Sequence, residues 1–399
     1  MAAFLKLVMI ADTFPPARNS GAVQLNDLAF ELGRQGHSVT VVLPLHSLKR
    51  PSQIQEIDGI RILRIKAPKT KGINYVRRTL NELVMPYFMM YCLVRKKLSS
   101  EEWDGIIWYS PSIFHGPLVK FLKRSNNCKG YLILRDIFPE WALEIGLIRR
   151  GLIYSFFSAM ARYQYSLADV IGVQTEGNLK YFRDSQAKLA GRIEVLPNWL
   201  GEPIRSKCSI RISETSLSGR KIFIYAGNMG VAQGMDILID LAYHLQSRRD
   251  VGFLFVGRGE AFHKLKSAAK TNKLKNILFH AEIPQNQIFD LYSECHVGLI
   301  SLDCNHKSHN IPGKFLGYLQ SGLPVLAKVN AGNDISKLIR DEQVGQVCEN
   351  DDIEQLKKCA DSILENLAID EKLSERCKKL FSKKYSVKIA AKRILFGLS

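Results

Sequence analysis

The chain has 399 residues, with 56 Lys and Arg against 38 Asp and Glu and a formal net charge of +18. That length exceeds what one hydrophobic core usually serves and predicts two domains of roughly 150–200 residues each, while the ordinary balance of apolar and charged residues excludes a disordered or fibrous chain. The charge points to an anionic partner, whether nucleic acid, an acidic membrane surface or a phosphorylated small molecule, unless it only marks a generally basic soluble surface.

The opening residues, MAAFLKLVMIADTFPP, are apolar for too short a stretch to be a signal peptide and read as a strand at 4–10 that ends in a turn. In the helix that follows, Leu25, Leu28, Ala29 and Leu32 share one face and Gly36 sits where a stop is expected, so the segment is a βα unit. Strands expected at 39–43, 60–65, 106–109, 131–134, 170–173 and 193–196 continue the alternation of a parallel sheet covered by helices. Pro197 and Asn198 end this first lobe, expected over 1–200.

One segment breaks the pattern. Residues 66–97 hold eight Lys or Arg against the single acid Glu82, flanking the apolar run LVMPYFMMYCLV at 83–94. Twelve residues are too few to span a bilayer, which needs about 20. Two readings fit: a buried core helix kinked at Pro86, or an interfacial helix lying on anionic lipid.

Residues 201–220 are polar and weakly periodic, which suits a connector. A second alternation then runs over 221–384, with strands at 222–226, 253–256, 277–279, 297–300 and 324–327 and a helix carrying Ile237, Leu238, Leu241 and Leu245 at core spacing. This is a second Rossmann-like lobe. The stretch 353–398 reads as helical throughout, with 385–399 free to cross back to the first lobe. The eight cysteines are scattered, without a C-x-x-C pair, and fit a reducing compartment and no zinc site.

Three turns carry the chemistry of an anion site. The strand at 222–226 runs into Gly227, Asn228, Gly230, Gln233 and Gly234, whose small residues let backbone N–H groups and a helix start cradle phosphate. The pattern of a P-loop is missing, so nucleotide hydrolysis is not indicated. Gly257, Arg258 and Gly259 form a second glycine-flanked turn at the same sheet edge, where ligands of open α/β sheets collect. Third, the segment HKSHNIPGKFLGYLQSGLPVLA places Gly313 and Lys314 at a helix start, a point charge for a diphosphate, with His309 and Asn310 able to reach sugar hydroxyls. In the first lobe Gly21 opens a helix in the same manner.

The ordered set SGAVQLNDLAFELGRQGHSVTVV, LRDIFPEWALEIG, IEVLPNW, YAGNMGVAQGMDILIDLA, FVGRGE and the block ending SGLPVLA resembles the retaining, nucleotide-sugar-dependent glycosyltransferases of the GT-B fold, GT4-like, over nearly the whole chain. The RDIFPE segment and the GVAQG loop resemble the branch of N-acetyl-L-fucosamine transferases of bacterial surface-polysaccharide pathways. The resemblance implies an α/β chain of two Rossmann-like domains facing across a cleft, acceptor in the first and donor in the second. It also implies a UDP-sugar donor, a lipid-linked saccharide acceptor, retained anomeric configuration, no cofactor and no metal. The protein would then sit in the cytoplasm against the anionic inner membrane face, without nucleic acid.

Carried over by position, the resemblance places diphosphate contacts on the Gly227 loop and on Lys314. Asn228 and Gln233 stand where a basic pair is common, and His309 and Gly317 stand where the family has two glutamates. Glu282 falls on the loop that usually meets the nucleobase. Arg135 stands where the family often has a histidine, with Asp136 beside it as the carboxylate that orients or deprotonates the acceptor hydroxyl. Arg135 pairing with Glu140 is the structural alternative, and His115 is a lesser candidate. On the same architecture a nucleotide-sugar epimerase is the competing enzyme, and a basic nucleic-acid-binding protein the competing class.

Overall fold

The computed structural model describes the chain except residues 1–3, 18, 97, 99–100, 145, 186–190, 204–205, 231–232 and 304–310, and the side chains of 183–185. The chain divides into two compact units: residues 1–201 with 387–399, and residues 202–386.

In the first unit, strands β1 (Lys6–Ile10), β2 (Ser38–Pro44), β3 (Ser52–Ile57), β4 (Ile60–Ile65), β5 (Gly105–Tyr109), β6 (Lys129–Leu134), β7 (Val170–Val173) and β8 (Arg192–Val195) form one sheet in the order β3-β4-β2-β1-β5-β6-β7-β8. Every pairing is parallel except β3 with β4. The central strands KLVMI and GIIWY are apolar almost end to end because helices cover both faces. Its helices are α1 (Ser20–Arg34), α2 (Tyr75–Arg95), α3 (Gly116–Asn126), α4 (Glu140–Glu144), α5 (Leu152–Ser166) and α6 (Glu176–Ser185).

Successive β1 side chains serve opposite layers, as the two-residue strand period requires. Val8 and Ile10 pack with Met85 and Met89 of α2, Leu118 of α3 and Ala161 of α5. Leu7 and Met9 pack with Leu25 and Leu28 of α1 on the other side. Burial of each such side chain contributes about 1.5–3 kcal/mol relative to exposure.

The second unit contains β9 (Lys221–Asn228), β10 (Val251–Arg258), β11 (Ile277–Ala281), β12 (Val297–Ser301), β13 (Val325–Lys328) and β14 (Gly345–Cys348), all parallel, in the order β11-β10-β9-β12-β13-β14. Its helices are α7 (Asp236–His244), α8 (Phe262–Thr271), α9 (Ile288–Ser293), α10 (Gly313–Ser321), α11 (Asp334–Asp341), α12 (Ile353–Ile369) and α13 (Leu373–Lys384). The chain then returns to the first unit as α14 (Val387–Leu398), whose Val387, Ala390, Ala391, Ile394 and Leu398 join the α1 layer.

Several expectations change. The polar segment 201–220 is not a free connector: the Cys208 N–H donates to the Asp290 carboxylate at 2.7 Å, the Ile212 N–H donates to Glu294 at 2.8 Å, and Leu217 is wholly buried. Its backbone is bonded to Asp290 of α9 and to Glu294 just after that helix, which a periodicity argument does not see. The first unit instead runs past Pro197 and Asn198, since Trp199 is buried with its ring N–H on the Gln24 carbonyl at 2.8 Å. The helical stretch 353–398 consists of three helices. Strands β3 and β14 had no counterpart in the sequence reading. For β3 the signal was present: Asp58 and Gly59, both left-handed, make the two-residue Asp-Gly hairpin turn between Ile57 and Ile60.

The 83–94 run is neither wholly core nor a short helix. It is the second half of the 21-residue α2, with Met85, Pro86, Met89, Cys92 and Leu93 buried and Val84, Tyr87, Phe88, Tyr91 and Val94 exposed.

Candidate functional site

In each sheet the strand order reverses between two neighbouring strands, and a crevice opens at their carboxyl ends. In the second unit this point lies between β9 and β12, which pair over only Val297↔Phe223 and Gly298↔Ile224. Beyond that the Tyr318 hydroxyl holds the strands apart. It donates toward the carbonyls of Ile224 at 3.1 Å and Leu299 at 3.2 Å and accepts from the Ala226 N–H at 3.3 Å. Gly298 is what admits the ring, since a Cβ there would sit 2.3 Å from it.

The lip of this crevice is the Gly227 turn and the start of α10. Gly227 has φ +139 and Gly257 φ +154, and a Cβ on Gly257 would lie 1.9 Å from the Gly227 carbonyl oxygen, so the two turns touch through backbone alone. Lys314 reaches over this contact: its Nζ lies 3.5 Å from the centre of the Tyr225 ring, a cation–π placement. Burial pulls its pKa down to about 7, and among the described residues no carboxylate opposes that fall. Pro312 caps α10 with no side-chain hydrogen bond; the Phe315 N–H donates to the Pro312 carbonyl at 3.0 Å, which leaves, among the described residues, the Gly313 and Lys314 N–H groups at the positive end of the helix. A cation half-stripped of water, beside open N–H donors, is arranged to hold an anion.

Other residues expected to bind the donor are engaged differently. Gln233 turns its side-chain carbonyl back to the Gly230 N–H at 2.8 Å and toward the Asn228 amide at 3.4 Å. The Met229 N–H donates to Arg258 O at 2.8 Å, so much of the expected amide cradle is bonded within the turns. Arg258 and Glu282, both exposed, form an ion pair at 3.2 Å. Gly317 lies on α10 with Tyr292 at ordinary contact distance from the side chain it lacks. His309 and Asn310 lie outside the described residues.

In the first unit the reversal lies between β1 and β5. Unsatisfied polar atoms lie after β1, β5 and the adjoining β6: Asp12 Oδ1, Ser110 Oγ and Arg135 Nε are sealed from solvent with no hydrogen bond. Burial raises the Asp12 carboxyl, which Lys71 and Arg78 pull back toward ionisation while Glu82 opposes them. Burial likewise raises Asp136, with the Arg135 guanidinium opposing it. Both carboxylates act electrostatically on the Tyr109 hydroxyl, raising it further while the Arg135 guanidinium opposes them. Gly21, in the first turn of α1, leaves space for that hydroxyl, 3.0 Å from where a Cβ would stand. Asn19 caps the helix by accepting from the Ala22 N–H at 2.9 Å.

Arg135 is turned away from Glu140. It donates to Leu196 O at 2.6 Å and stacks over Trp199 at 4.7 Å, while Glu140 accepts from the Tyr154 hydroxyl at 3.4 Å. Arg135 therefore braces β6 against the segment after β8. His115 is wholly buried with both ring nitrogens unpartnered, and burial pushes it down to about 4, so its imidazole is neutral and closed off from solvent. Sequence reasoning missed Asp12, Tyr109, Tyr225 and Tyr318. Asp12 had a visible signal, a lone acid directly after an apolar strand, whereas the tyrosines looked like core. Among the described residues no group of three or more His, Cys, Asp or Glu could hold a metal ion.

Two Rossmann-like α/β units with ligand-type crevices at their switch points define the GT-B fold. Residues 220–366, which hold the Gly227 turn and Lys314, match the family model described as Glycosyl transferases group 1. Over 370 residues the chain is 22% identical to the probable glycosyltransferase WbjE of Pseudomonas aeruginosa, covering 90% of each. Its fold is similar to WaaG, a glycosyltransferase involved in lipopolysaccharide biosynthesis, with TM-score 0.63, 15% identity and coverage of 98% of this chain and 99% of that one. It is equally similar to Anabaena HepE in complex with UDP, with TM-score 0.63, 14% identity and 99% of each chain covered. The family model, WbjE and WaaG are each a likeness to glycosyltransferases, and the solved structures share the GT-B fold. Among the described residues no helix is long and apolar enough to cross a membrane.

Proposed function

We propose that this chain transfers a sugar from a UDP-sugar donor to a lipid-linked saccharide, with retained configuration, in the assembly of an O-antigen or capsule-type polysaccharide. The observation that carries the donor half is Lys314: a partly desolvated ammonium at the uncapped start of α10, beside the Gly227 turn, at the switch point of the second sheet. The likeness in fold to UDP-bound HepE supports the donor class, and the likeness to WaaG, which is involved in lipopolysaccharide biosynthesis, supports the pathway class. N-acetyl-L-fucosamine as the sugar rests on the RDIFPE and GVAQG segments.

In the reaction the bond between the sugar anomeric carbon and the β-phosphate oxygen breaks, UDP leaves with the electron pair, and an acceptor hydroxyl oxygen bonds to that carbon. Lys314 and the α10 amides stabilise the charge growing on the departing diphosphate, a task that preorganised donors perform without a metal ion. In the first unit Asp136 takes the acceptor proton, with Asp12 and Tyr109 setting the polarity around it. Arg135 acts as a positioning residue through its hold on the Leu196 carbonyl.

A calorimetric screen of nucleotide sugars tests this. UDP and at least one UDP-sugar bind the native protein, and Lys314→Ala weakens UDP about 10–150-fold, the worth of a charge-assisted contact. Asp136→Ala keeps UDP affinity and loses transfer. Absence of UDP binding, or full transfer by both variants, overturns the assignment. Product formation from donor alone would show an epimerase instead.

A further inference from the structure

The second sheet ends at β11, and the outer side of that strand is unpaired. The Phe253 N–H of β10 donates to the Asn276 carbonyl at 2.8 Å, which fixes the alternation of the parallel ladder. Asn276, Leu278 and His280 turn their backbone groups to β10, and Ile277 and Phe279 turn theirs outward. Among the described residues no group pairs with that outward N–H and C=O set. Two rows of side chains on the α8 face of the sheet stop at the same strand. Phe223 stacks on Phe253 at 5.3 Å, with Ile277 next in register; Tyr225 stacks on Phe255 at 6.1 Å, and Phe255 on Phe279 at 5.1 Å. Ile277 and Phe279 then border a groove of about 520 Å³ beside α8, lined also by His263, Lys266, Lys270 and Leu274.

The rim of this groove is cationic. Lys266 and Lys270 of α8 are exposed, as are Lys273 and Lys275 in the turn that leads into β11, and among the described residues none of the four has an ion pair. Lys264, by contrast, is engaged with Asp236 at 2.9 Å. Lysines along a free edge repel a second copy of that edge, so self-pairing through β11 is disfavoured. The same charges favour an acidic strand. Its backbone would satisfy the outward groups of Ile277 and Phe279, while its apolar side chains continue the two rows.

We propose that the outer edge of β11 docks an extended segment of a partner protein, apolar at its centre and acidic on both flanks, as a seventh strand of the second sheet. Main-chain hydrogen bonds and the groove hold its centre, and the cations strung from His263 to Lys275 hold its flanks. The site is independent of the transfer reading. β10 separates β11 from the β9–β12 switch point, so partner and donor bind together.

The test uses the full chain and two labelled peptides, Glu-Glu-Val-Ile-Val-Glu-Glu and its counterpart with Lys for Glu, read by fluorescence anisotropy and amide hydrogen exchange. The acidic peptide binds and the basic one does not. Binding slows exchange of the Ile277 and Phe279 amides, and N-methylation of the Val-Ile-Val amides abolishes it. Lys266→Glu with Lys270→Glu weakens the acidic peptide about tenfold or more, while UDP affinity and a cooperative melt stay native because both side chains are exposed. No binding of the acidic peptide, or equal binding of the basic one, overturns the proposal. Binding without protection of those two amides, or undiminished by N-methylation, reduces the lysines to a charge patch and overturns it too. Tighter, salt-sensitive binding of single-stranded DNA to the same lysines does likewise. Peptide binding without UDP binding would sink the transferase reading and leave the docking edge standing.

Discussion

Lys314 and Asp27 show how burial converts single side chains into pH-dependent devices. Lys314 titrates at about 7 in the folded chain against 10.5 for a free lysine. Between those values the native state binds fewer protons than the unfolded state, so this residue makes stability rise with pH across that window, and it contributes no slope below 7. Lys314→Met should remove the slope, which pH-resolved urea denaturation reads. A bound diphosphate favours the charged form, so UDP affinity should fall as pH climbs through 7 in the native protein, with calorimetry as the check. Asp27 runs the other way: burial lifts its carboxyl from 3.8 to about 6, although it accepts the Gly201 N–H at 2.7 Å. The native state then holds the extra proton, and the stability it contributes below 3.8 is lost as pH rises through 6. Asp27→Asn should therefore raise stability at neutral pH by about 1–3 kcal/mol, since each pKa unit is worth about 1.4 kcal/mol, and the gain should vanish in acid. Of these two, only Lys314 was visible in the sequence, as a cation at a helix start. Asp27 sits in an amphipathic helix, where nothing marks an acid as desolvated until the residue-201 backbone packs on it.

The packing of α10 against β12 decides whether the second crevice exists. Tyr318 fills the gap where β9 and β12 stop pairing, and Gly298 has no side chain to contest it. Gly298→Ala should cost about 1–3 kcal/mol by overpacking and displace α10, so UDP binding weakens along with the fall in urea midpoint. A glycine in an apolar strand reads as punctuation, and its partner twenty residues on cannot be inferred from spacing. The α2 helix was half legible for a related reason. An apolar run with basic flanks is apparent in a string of letters, but which side chains face the core depends on where Leu118 and Ala161 stand.

At the scale of the whole chain, α14 makes the first unit depend on residues 387–399, which follow the entire second unit in sequence. Ile394 is fully buried in the α1 layer, and Arg393 bonds to the Val195 carbonyl. Ile394→Ala should cost about 2–5 kcal/mol and lower the melting of the first unit, leaving that of the second unchanged in a scanning calorimeter. The alternation of apolar strands with amphipathic helices, read from the letters, was enough to establish two Rossmann-like lobes, because burial on both faces of a parallel sheet forces that pattern. The glycine turns and Lys314 were legible for the same local reason, being features of a strand-to-helix junction. What only tertiary structure decided was which polar groups remain available there. The Gly227 loop spends its amides on Gln233 and Arg258, Arg135 is drawn to the Leu196 carbonyl, and Asp12 Oδ1 is left without a hydrogen bond. Each outcome depends on groups distant in sequence that compete for the same hydrogen bonds, and no local pattern records that competition.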